Sequence, residues 1–376
     1  MTAGTGRAPS VEVCTDAPAF GRLAGEWERL YRACRAATPF QSHAWLYSWW
    51  LSYGTPGALR VVLVRRSGEL VAAAPLMRVH RPLPALVPVG GAISDFCDVL
   101  LDEAAADLAV PALADALAAL ARTALIDFRE VRPGSAVERV YQCWRGPRHR
   151  VPDSLCLELP AVPMDQLVGR LSSKRAQRVR NRMNKLTRIG VRWRTVGPEE
   201  TGAALGRLIE LHRLQWEGRK VTTEHLRPRF LDHLVRSVVP MARCGEAVVR
   251  EFLLEDEVVA VDLTFQSRQL AGKYLYGVHP RLRACKVDVT TMLLTAAVEE
   301  LPPQGPAEGP PVLSLLRGTE PYKYQWRPRG IVNQRLLLAR RRTAPLLAAA
   351  ACEAAARSRA KQLLRRTPAD QQLATA

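Results

Sequence analysis

The hydrophobic positions of the chain follow two different periods. Over residues 15–36, apolar side chains recur every three or four positions, which predicts an amphipathic helix. Residues 59–65 and 70–79 are instead short apolar runs on either side of the turn Ser67-Gly68, so they predict a β-hairpin. A chain in which helices alternate with hairpins is expected to fold as an α/β protein.

The same two periods predict the remaining elements. Further helices are predicted at 42–53, 105–121, 165–189, 199–218, 227–244, 287–300 and 343–366. Further strands are predicted at 125–131, 247–254, 258–266, 270–278, 312–316 and 332–339. Ser42 is a predicted helix N-cap. Pro147 and Pro152 flank a basic stretch, which we interpret as a loop between two halves.

One internal repeat indicates a duplicated α/β unit. The hairpin at 67–76 aligns with a hairpin at 255–264, and each one follows helices and precedes a further helix and strand. We therefore predict an N-terminal domain at 1–150, a C-terminal domain at 151–340 and a basic helical tail at 341–376.

Composition and charge narrow the classes of function. The 376 residues are 48% hydrophobic and 24% charged, which is typical of a globular protein. The net charge of +18 favours partners that carry phosphate or other anionic groups. A general bias toward arginine and alanine explains that charge equally well.

Several kinds of site and segment are missing from the sequence. The 8 cysteines and 7 histidines lack metal-site spacing, so we predict free thiols and no bound metal. We find no secretory leader and no apolar run of the ~20 residues that a membrane span needs, so we predict a cytoplasmic location. The common motifs of nucleotide hydrolysis, hydride transfer, serine hydrolysis and zinc proteolysis are also missing, which argues against those reactions.

A basic segment spans residues 170–194 and contains ten lysines and arginines but no acidic residue. Its apolar positions form a narrow stripe, so a helix here carries basic side chains on its other faces. Like charges four residues apart repel on a helix, and a bound anion relieves that repulsion. We assign Arg178 and Arg182 as phosphate contacts for CoA, tRNA or an anionic polymer. The alternative is a solvated basic face.

The segment at 313–326 runs from a buried strand into a glycine and then into polar and aromatic residues. Loops beyond strand ends commonly bind ligands in α/β proteins. Arg317 and Lys323 offer cations to an anionic ligand, and Glu320 is a candidate base or the ion-pair partner of either. The alternative is an ordinary loop with an ion pair and packed aromatic rings.

Two further residues are candidates for proton transfer. His212 lies near the end of a predicted helix and titrates in a range that suits proton transfer from an amine, although a single helical histidine is more often structural. Asp262 lies within an apolar strand, where alternation places it on one face with Ala260 and Thr264. That face either lines a pocket or meets solvent.

Five motifs, taken together, resemble one protein family. They are Phe40-Gln41-Ser42-His43-Ala44-Trp45, Ala74-Pro75-Leu76, Ser172-Ser173-Lys174-Arg175, Leu211-His212-Arg213 and Arg317-Gly318-Thr319-Glu320-Pro321-Tyr322-Lys323. In this order and spacing, over residues 38–336, they resemble the CelD-like (cellulose-biosynthesis-type) acetyltransferases. That family is a branch of the GNAT superfamily and is related to the Fem-type peptidoglycan peptidyltransferases.

The resemblance implies tandem GNAT-like domains, each a mixed, mostly antiparallel sheet flanked by helices. It also implies an N-acyltransferase, in which an amine of a small metabolite or sugar attacks an acyl-CoA thioester directly. Backbone N–H groups beside a strand bulge would polarise the thioester carbonyl. The Fem-type kinship implies an alternative, an aminoacyl transferase with tRNA as partner. A third hypothesis is a non-catalytic GNAT scaffold that binds polyanions.

The residues discussed above and those implied by the resemblance together form the set of candidate site residues. The catalytic candidates are His212, Asp262 and Glu320. The cofactor-binding candidates are Arg178, Arg182, Lys286, Arg317, Gly318 and Lys323, and the substrate-binding candidates are Trp216, Tyr276, Tyr322 and Trp326. The family has a glycine turn for the CoA pyrophosphate where this chain has residues 284–289 without glycine, and Lys286 partly compensates. The family also tends to have an acidic residue in the strand before Arg317, where this chain has none.

Overall fold

The computed structural model describes residues 8–215, 217, 223–299 and 312–365, and for residues 358 and 360–365 it describes the backbone alone. The helices are α1 (Ala17–Arg22), α2 (Ala24–Ala33), α3 (His43–Tyr53), α4 (Ala106–Leu120), α5 (Val137–Cys143), α6 (Met164–Gly169), α7 (Ser173–Ile189), α8 (Thr201–Gln215), α9 (Pro228–Arg243), α10 (Pro280–Ala284), α11 (Val289–Glu299), α12 (Pro321–Tyr324) and α13 (Ala344–Arg365). The strands are β1 (Ser10–Cys14), β2 (Leu59–Arg66), β3 (Glu69–Val79), β4 (Ala85–Pro88), β5 (Leu100–Leu101), β6 (Leu125–Val131), β7 (Arg148–Pro160), β8 (Arg192–Thr195), β9 (Ala247–Leu254), β10 (Glu257–Gln266), β11 (Leu270–Val278), β12 (Val312–Arg317) and β13 (Arg329–Leu338).

The described strands form one 13-stranded sheet. Their order is β1-β2-β3-β4-β6-β13-β7-β12-β11-β10-β9-β8, and β5 pairs with β3. The pairs β4–β6 and β11–β12 are parallel, whereas the other described pairs are antiparallel. The fold is therefore the mixed, mostly antiparallel sheet flanked by helices that was predicted.

Most predicted elements are confirmed, with bounds that shift by a few residues. β6, β9 and β11 occupy the predicted residues without a shift. Ser42 caps α3 as predicted, because its hydroxyl oxygen accepts the N–H of Trp45 at 3.3 Å. The predicted helices at 15–36 and 165–189 are each divided in two, the latter at Ser172, whose extended backbone starts α7.

The interpretation of residues 147–152 as a loop is wrong. Most of them belong to β7, which pairs antiparallel with β13 on one side and with β12 on the other. Pro152 pairs opposite Gln334, where the register of β7 and β13 shifts, and such an irregularity admits a residue without an N–H donor. The sheet therefore continues across residue 150, and the division into domains stays a prediction.

Helices cover both faces of the C-terminal part of the sheet. On one face, Leu205, Leu208 and Leu211 of α8 cluster with Val261 and Leu263 of β10. On the opposite face, apolar residues of α11 cluster with those of β9, β10 and β11. Because successive strand residues point to opposite faces, β11 presents side chains to both helix layers, Leu275 to the first and Val278 to the second.

The C-terminal helix α13 packs on the sheet near its start, where Leu346, Leu347 and Ala350 cluster with Leu337 and Ala339 of the β13 region. None of the described helices combines the length and the apolar character that crossing a membrane requires.

Candidate active site

β11 and β12 lie side by side for a short distance and then separate. They pair in parallel where Leu270–Gly272 meets Val312–Ser314, and the described pairing ends there. Both strands continue beyond it, β11 to Val278 and β12 to Arg317. Parallel strands that diverge leave their facing backbone groups open between them. The sheet therefore has a gap beside residues 273–278 of β11.

A β-bulge lies at the start of this gap. Thr264 of β10 pairs with Lys273, and Leu263 pairs with Leu275, so Tyr274 is an extra residue in β11. A bulge of this kind interrupts the ladder and redirects the extra side chain. The Tyr274 hydroxyl donates to the carbonyl oxygen of Ile93 at 3.0 Å, which ties the bulge to the N-terminal half.

The end of β12 has an uncommon backbone conformation. Leu316 has a φ of 55° and Gly318 a φ of 117°. A β-carbon on Gly318 would lie 2.5 Å from both carboxylate oxygens of Glu320, so this position favours glycine. Backbone strain of this kind tends to cluster at ligand-binding sites.

A cavity of about 640 Å³ occupies the gap. Its walls come from both helix layers, with His212 of α8 on one side and Leu293 and Leu294 of α11 on the other. Seven candidate residues line it: His212, Tyr276, Arg317, Gly318, Glu320, Tyr322 and Lys323. The candidates Arg178, Arg182, Asp262, Lys286 and Trp326 lie outside its wall, and Trp216 lies outside the described residues.

His212 presents a neutral imidazole to the cavity. Its Nδ1 lies 2.9 Å from the carbonyl oxygen of Tyr276, and since a carbonyl oxygen only accepts, Nδ1 carries the proton. Burial lowers the pKa of His212 below its ordinary 6.5, so the ring is neutral near pH 7. Nε2 is then the basic nitrogen of the ring.

Gly277 allows α8 to approach β11 closely enough for this contact. A β-carbon on Gly277 would lie 2.4 Å from the carbonyl oxygen of Leu208 and 2.5 Å from the backbone nitrogen of His212. Only glycine permits this approach, so Gly277 holds His212 at the cavity.

Two tyrosine side chains, those of Tyr276 and Tyr322, line the cavity. Burial raises the pKa of both phenols, so both are protonated at neutral pH.

The charged residues after β12 bind to one another and to the N-terminal half. Lys323 Nζ donates to the carbonyl oxygen of Arg317 at 2.9 Å and pairs with Glu320 at 2.9 Å. Arg317 Nε lies 2.7 Å from a carboxylate oxygen of Asp95, and Nη1 lies 3.2 Å from Glu130. Internal carboxylates thus engage both cations that were assigned to an anionic ligand. In this arrangement Arg317 chiefly joins β12 to the N-terminal half.

Asp262 belongs to a buried polar cluster next to the cavity. Its side chain is 1% exposed, so its face of β10 does not meet solvent there. The carboxylate pairs with Lys273, lies 3.6 Å from Arg250 and accepts the hydroxyl of Thr264 at 3.0 Å. Lys273 does line the cavity, so Asp262 affects the cavity through this lysine.

A second cleft of about 750 Å³ adjoins the cavity, and Tyr276 lies in the wall of both. Arg182, Arg283 and Lys286 line this cleft together with the carboxylates of Glu217 and Asp288, so its cations outnumber its anions by one. Lys286 has a φ of 52°, so it adopts the left-handed conformation at the turn where the family resemblance implies glycine.

The backbone of this turn uses its donors internally. The N–H groups of Lys286 and Val287 donate to carbonyl oxygens of α10. Asp288 caps α11, since its carboxylate accepts the N–H of Thr291 at 2.8 Å and pairs with Arg182 at 3.2 Å. Contacts to phosphate in this cleft would therefore come from side chains.

Arg178 lies in a third hollow, of about 290 Å³, with Arg175, Arg182 and Tyr324. Within the described part of the chain, Arg182 is the α7 side chain that forms an ion pair, so most of the basic face of α7 is open. The Tyr324 ring is exposed beside it. Trp326, in contrast, is 1% exposed and packs in an apolar cluster, which places it in the core rather than in a cavity wall.

Several polar residues of the cavity wall were not assigned from the sequence, among them Asp95, His225 and Lys273. Lys273 has a signal, since it is a lysine in an otherwise apolar predicted strand. Asp95 has none, because it is 222 residues away from its partner Arg317. In the described ranges, no group of histidine, cysteine, aspartate or glutamate side chains is arranged to hold a metal ion.

The strand gap, the bulge and most of the cavity fall within one recognisable domain. Residues 173–324 match the family model described as an acetyltransferase (GNAT) domain. The fold is GNAT-like. The match supports an acyltransferase and leaves the identity of the acyl group open. A search of the curated proteins finds no match.

Several solved structures share the GNAT-like fold over most of this chain. FemX aligns with a TM-score of 0.57 at 12% identity, over 83% of this chain and 95% of its own. A conserved protein of unknown function from Bacteroides thetaiotaomicron VPI-5482 aligns with a TM-score of 0.56 at 11% identity, over 88% and 100%. L-PGS from Bacillus licheniformis aligns with a TM-score of 0.54 at 14% identity, over 86% and 94%. At these identities the similarity establishes the fold alone.

Proposed function

We propose that the protein is an N-acyltransferase that moves an acyl group from acyl-CoA to an amine of a small metabolite or sugar. The bulge at Tyr274, beside the gap between β11 and β12, carries this proposal. The gap leaves backbone donors next to a cavity that reaches both helix layers, so a thioester carbonyl can be polarised there while an amine approaches it. Membership of the CelD-like branch, indicated by the sequence motifs, is part of this proposal.

The proposed reaction forms a C–N bond and breaks a C–S bond. The amine nitrogen attacks the thioester carbonyl carbon and loses one proton, for which His212 Nε2 is the acceptor. The departing CoA thiolate gains a proton, for which the Tyr322 hydroxyl in the cavity wall is the donor. Burial keeps His212 neutral and Tyr322 protonated, which are the states that these roles require.

The basic cleft next to the cavity is the proposed location of the phosphate groups of CoA. Arg182, Arg283 and Lys286 line it, and Tyr276 connects it to the cavity. Among the described residues, Arg283 and Lys286 form no ion pair of their own, so their charges are available to an anion. Contacts made by exposed side chains weaken as salt increases.

Aminoacyl-tRNA is the second candidate donor. The helix dipole of α11 would favour binding of a pyrophosphate at its N terminus, but the Asp288 carboxylate occupies that position and would repel the pyrophosphate. The open basic face of α7, with Arg175 and Arg178 next to the exposed Tyr324, suits a nucleic-acid backbone with a stacked base.

Thermal unfolding combined with a thiol-release assay tests the donor. A CoA thioester present at 100 times its Kd should stabilise the protein by about 2.7 kcal/mol, and addition of an amine should release free thiol. Arg283→Ala together with Lys286→Ala should weaken this effect, whereas Arg175→Ala should leave it unchanged. If tRNA binds with a steep salt dependence while CoA thioesters neither raise the Tm nor release thiol, the second donor is correct and the first is refuted.

A further inference from the structure

The charged side chains described in the cavity wall all have ion-pair partners within the protein. The pairs are Asp95 with Arg317, Glu320 with Lys323, Lys273 with Asp262, and Glu224 with Arg229. A ligand carboxylate or phosphate in this cavity would lose its hydration without gaining a charged partner that is not already engaged. The wall therefore favours a ligand that is neutral apart from its reacting amine.

His225 adds a polar group that is fixed in position. It lies in a short 3₁₀ turn, Thr223–Leu226, and lines the cavity. Its ring stacks on Phe230 with a centroid distance of 4.7 Å and lies 5.4 Å from the ring of His212. Glu224 in the same turn is held by Arg229 at 2.7 and 2.8 Å, which anchors the turn.

Nδ1 of His225 is buried and has no hydrogen-bond partner among the described residues. A buried polar atom without a partner destabilises the protein by about 1–3 kcal/mol, so such an atom at a cavity is suited to bind a ligand group. Burial, and then the neighbouring His212, lower the pKa of His225 to about 4, so the ring is neutral at physiological pH.

A neutral imidazole has one donor nitrogen and one acceptor nitrogen. A ligand hydroxyl can donate or accept, so it satisfies Nδ1 of His225 in either tautomer. An ammonium group can only donate and a carboxylate can only accept, so each satisfies one tautomer alone. A hydroxyl group therefore satisfies Nδ1 whichever tautomer His225 adopts, and the neutralised wall disfavours a partner that carries a charge.

We propose that His225 and the neutralised wall form an acceptor subsite for a hydroxyl-bearing amine without a further charge, such as an amino sugar or an amino alcohol. This inference rests on the proposed acyl transfer and specifies the class of its acceptor. His225 binds a hydroxyl of the acceptor, and His212, whose ring centroid lies 5.4 Å from that of His225, takes the proton from the amine. His225 is then a specificity-determining residue of the reaction.

A panel of acceptors tests this subsite. Thiol release from acetyl-CoA is measured with glucosamine and 2-aminoethanol as neutral acceptors, and with glucosamine 6-phosphate and glutamate as charged ones. We expect kcat/KM to be at least about 10-fold higher for the better neutral acceptor, because an unpaired buried charge costs more than one lost hydrogen bond. A charged acceptor that reacts as well as or better than both neutral ones overturns the subsite.

Variants of His225 test its contact directly. His225→Phe should raise KM for the neutral acceptor about 10-fold with little change in kcat, since a contact made equally in the ground and transition states acts on KM. His225→Asn, which keeps a donor and an acceptor, should recover part of that loss. His80→Phe, at an exposed position outside the cavity wall, should change neither constant. An unchanged KM in His225→Phe overturns the role of this residue.

Failure of the subsite and failure of the acyl transfer give different results. If acetyl-CoA raises the Tm but no neutral amine is acylated, the subsite is refuted and donor binding stands. If no CoA thioester raises the Tm and no acceptor releases thiol, the acyl-CoA reaction itself is refuted, together with the subsite that depends on it.

Discussion

Gly277→Ala should separate the position of His212 from the rest of the fold. The added β-carbon would lie 2.4 Å from the carbonyl oxygen of Leu208, 2.5 Å from the backbone nitrogen of His212 and 2.8 Å from Cβ of Leu211. Two of these neighbours are backbone atoms, which cannot turn away as a flexible side chain can. The substitution therefore requires α8 to withdraw from β11.

The size of the effect follows from these distances. To restore ordinary contact, α8 has to withdraw by about 0.6–1 Å, and overpacking of this kind destabilises a protein by about 1–3 kcal/mol. The contact between His212 Nδ1 and the carbonyl oxygen of Tyr276, now 2.9 Å, would lengthen beyond hydrogen-bonding distance. A misplacement of about 1 Å in a catalytic group lowers turnover by about 10²-fold.

Initial rates of thiol release and thermal unfolding measure the two effects in the same preparation. Gly206→Ala is the matched control, because Gly206 also lies in α8 but has no atom within 4 Å of an added β-carbon. That control should stabilise the helix by about 0.5–1 kcal/mol and leave turnover unchanged. If Gly277→Ala lowers the Tm but leaves kcat intact, the argument that Gly277 positions a catalytic His212 is refuted.

Three further predictions follow from the geometry. His212→Gln should lower kcat about 10²–10⁴-fold. Since the pKa of His212 lies below 6.5, the wild-type rate should fall only as the pH drops below 6.5. The variant should not show this fall at acid pH. Folding lowers the pKa of His225 from 6.5 to about 4, so the stability that its neutral ring contributes is complete above pH 6.5 and is lost as the pH falls toward 4. His225→Phe should therefore make the Tm depend less on pH between 4 and 6.5. If tRNA binds α7, Arg175→Ala and Arg178→Ala should each reduce the slope of log Kd against log salt concentration by about 1, with Arg180→Ala, which lies outside the hollow, as the comparison. If none of the three variants changes this slope from its wild-type value, the basic face of α7 is only solvated.

The sequence by itself determined the features that depend on neighbouring residues. The bounds of β6, β9 and β11 follow from runs of apolar and β-branched residues, and Ser42 caps α3 because the cap needs only its own hydroxyl and the N–H of Trp45. The motif at 317–323 was also placed correctly after a buried strand, since the end of an apolar run marks the end of the strand.

Only the tertiary structure decided which distant residues meet. From the sequence alone, the basic stretch between Pro147 and Pro152 was interpreted as a loop. In the structure it pairs with β13 and forms the start of β7. The motif alone indicates that the Arg317 cation is available to a ligand, but in the structure Arg317 pairs with Asp95, 222 residues away. The bulge at Tyr274 depends on the register between β10 and β11, and Gly277 is needed only because α8 packs against it. These contacts join residues far apart in the chain, so no local pattern of apolar and polar positions encodes them.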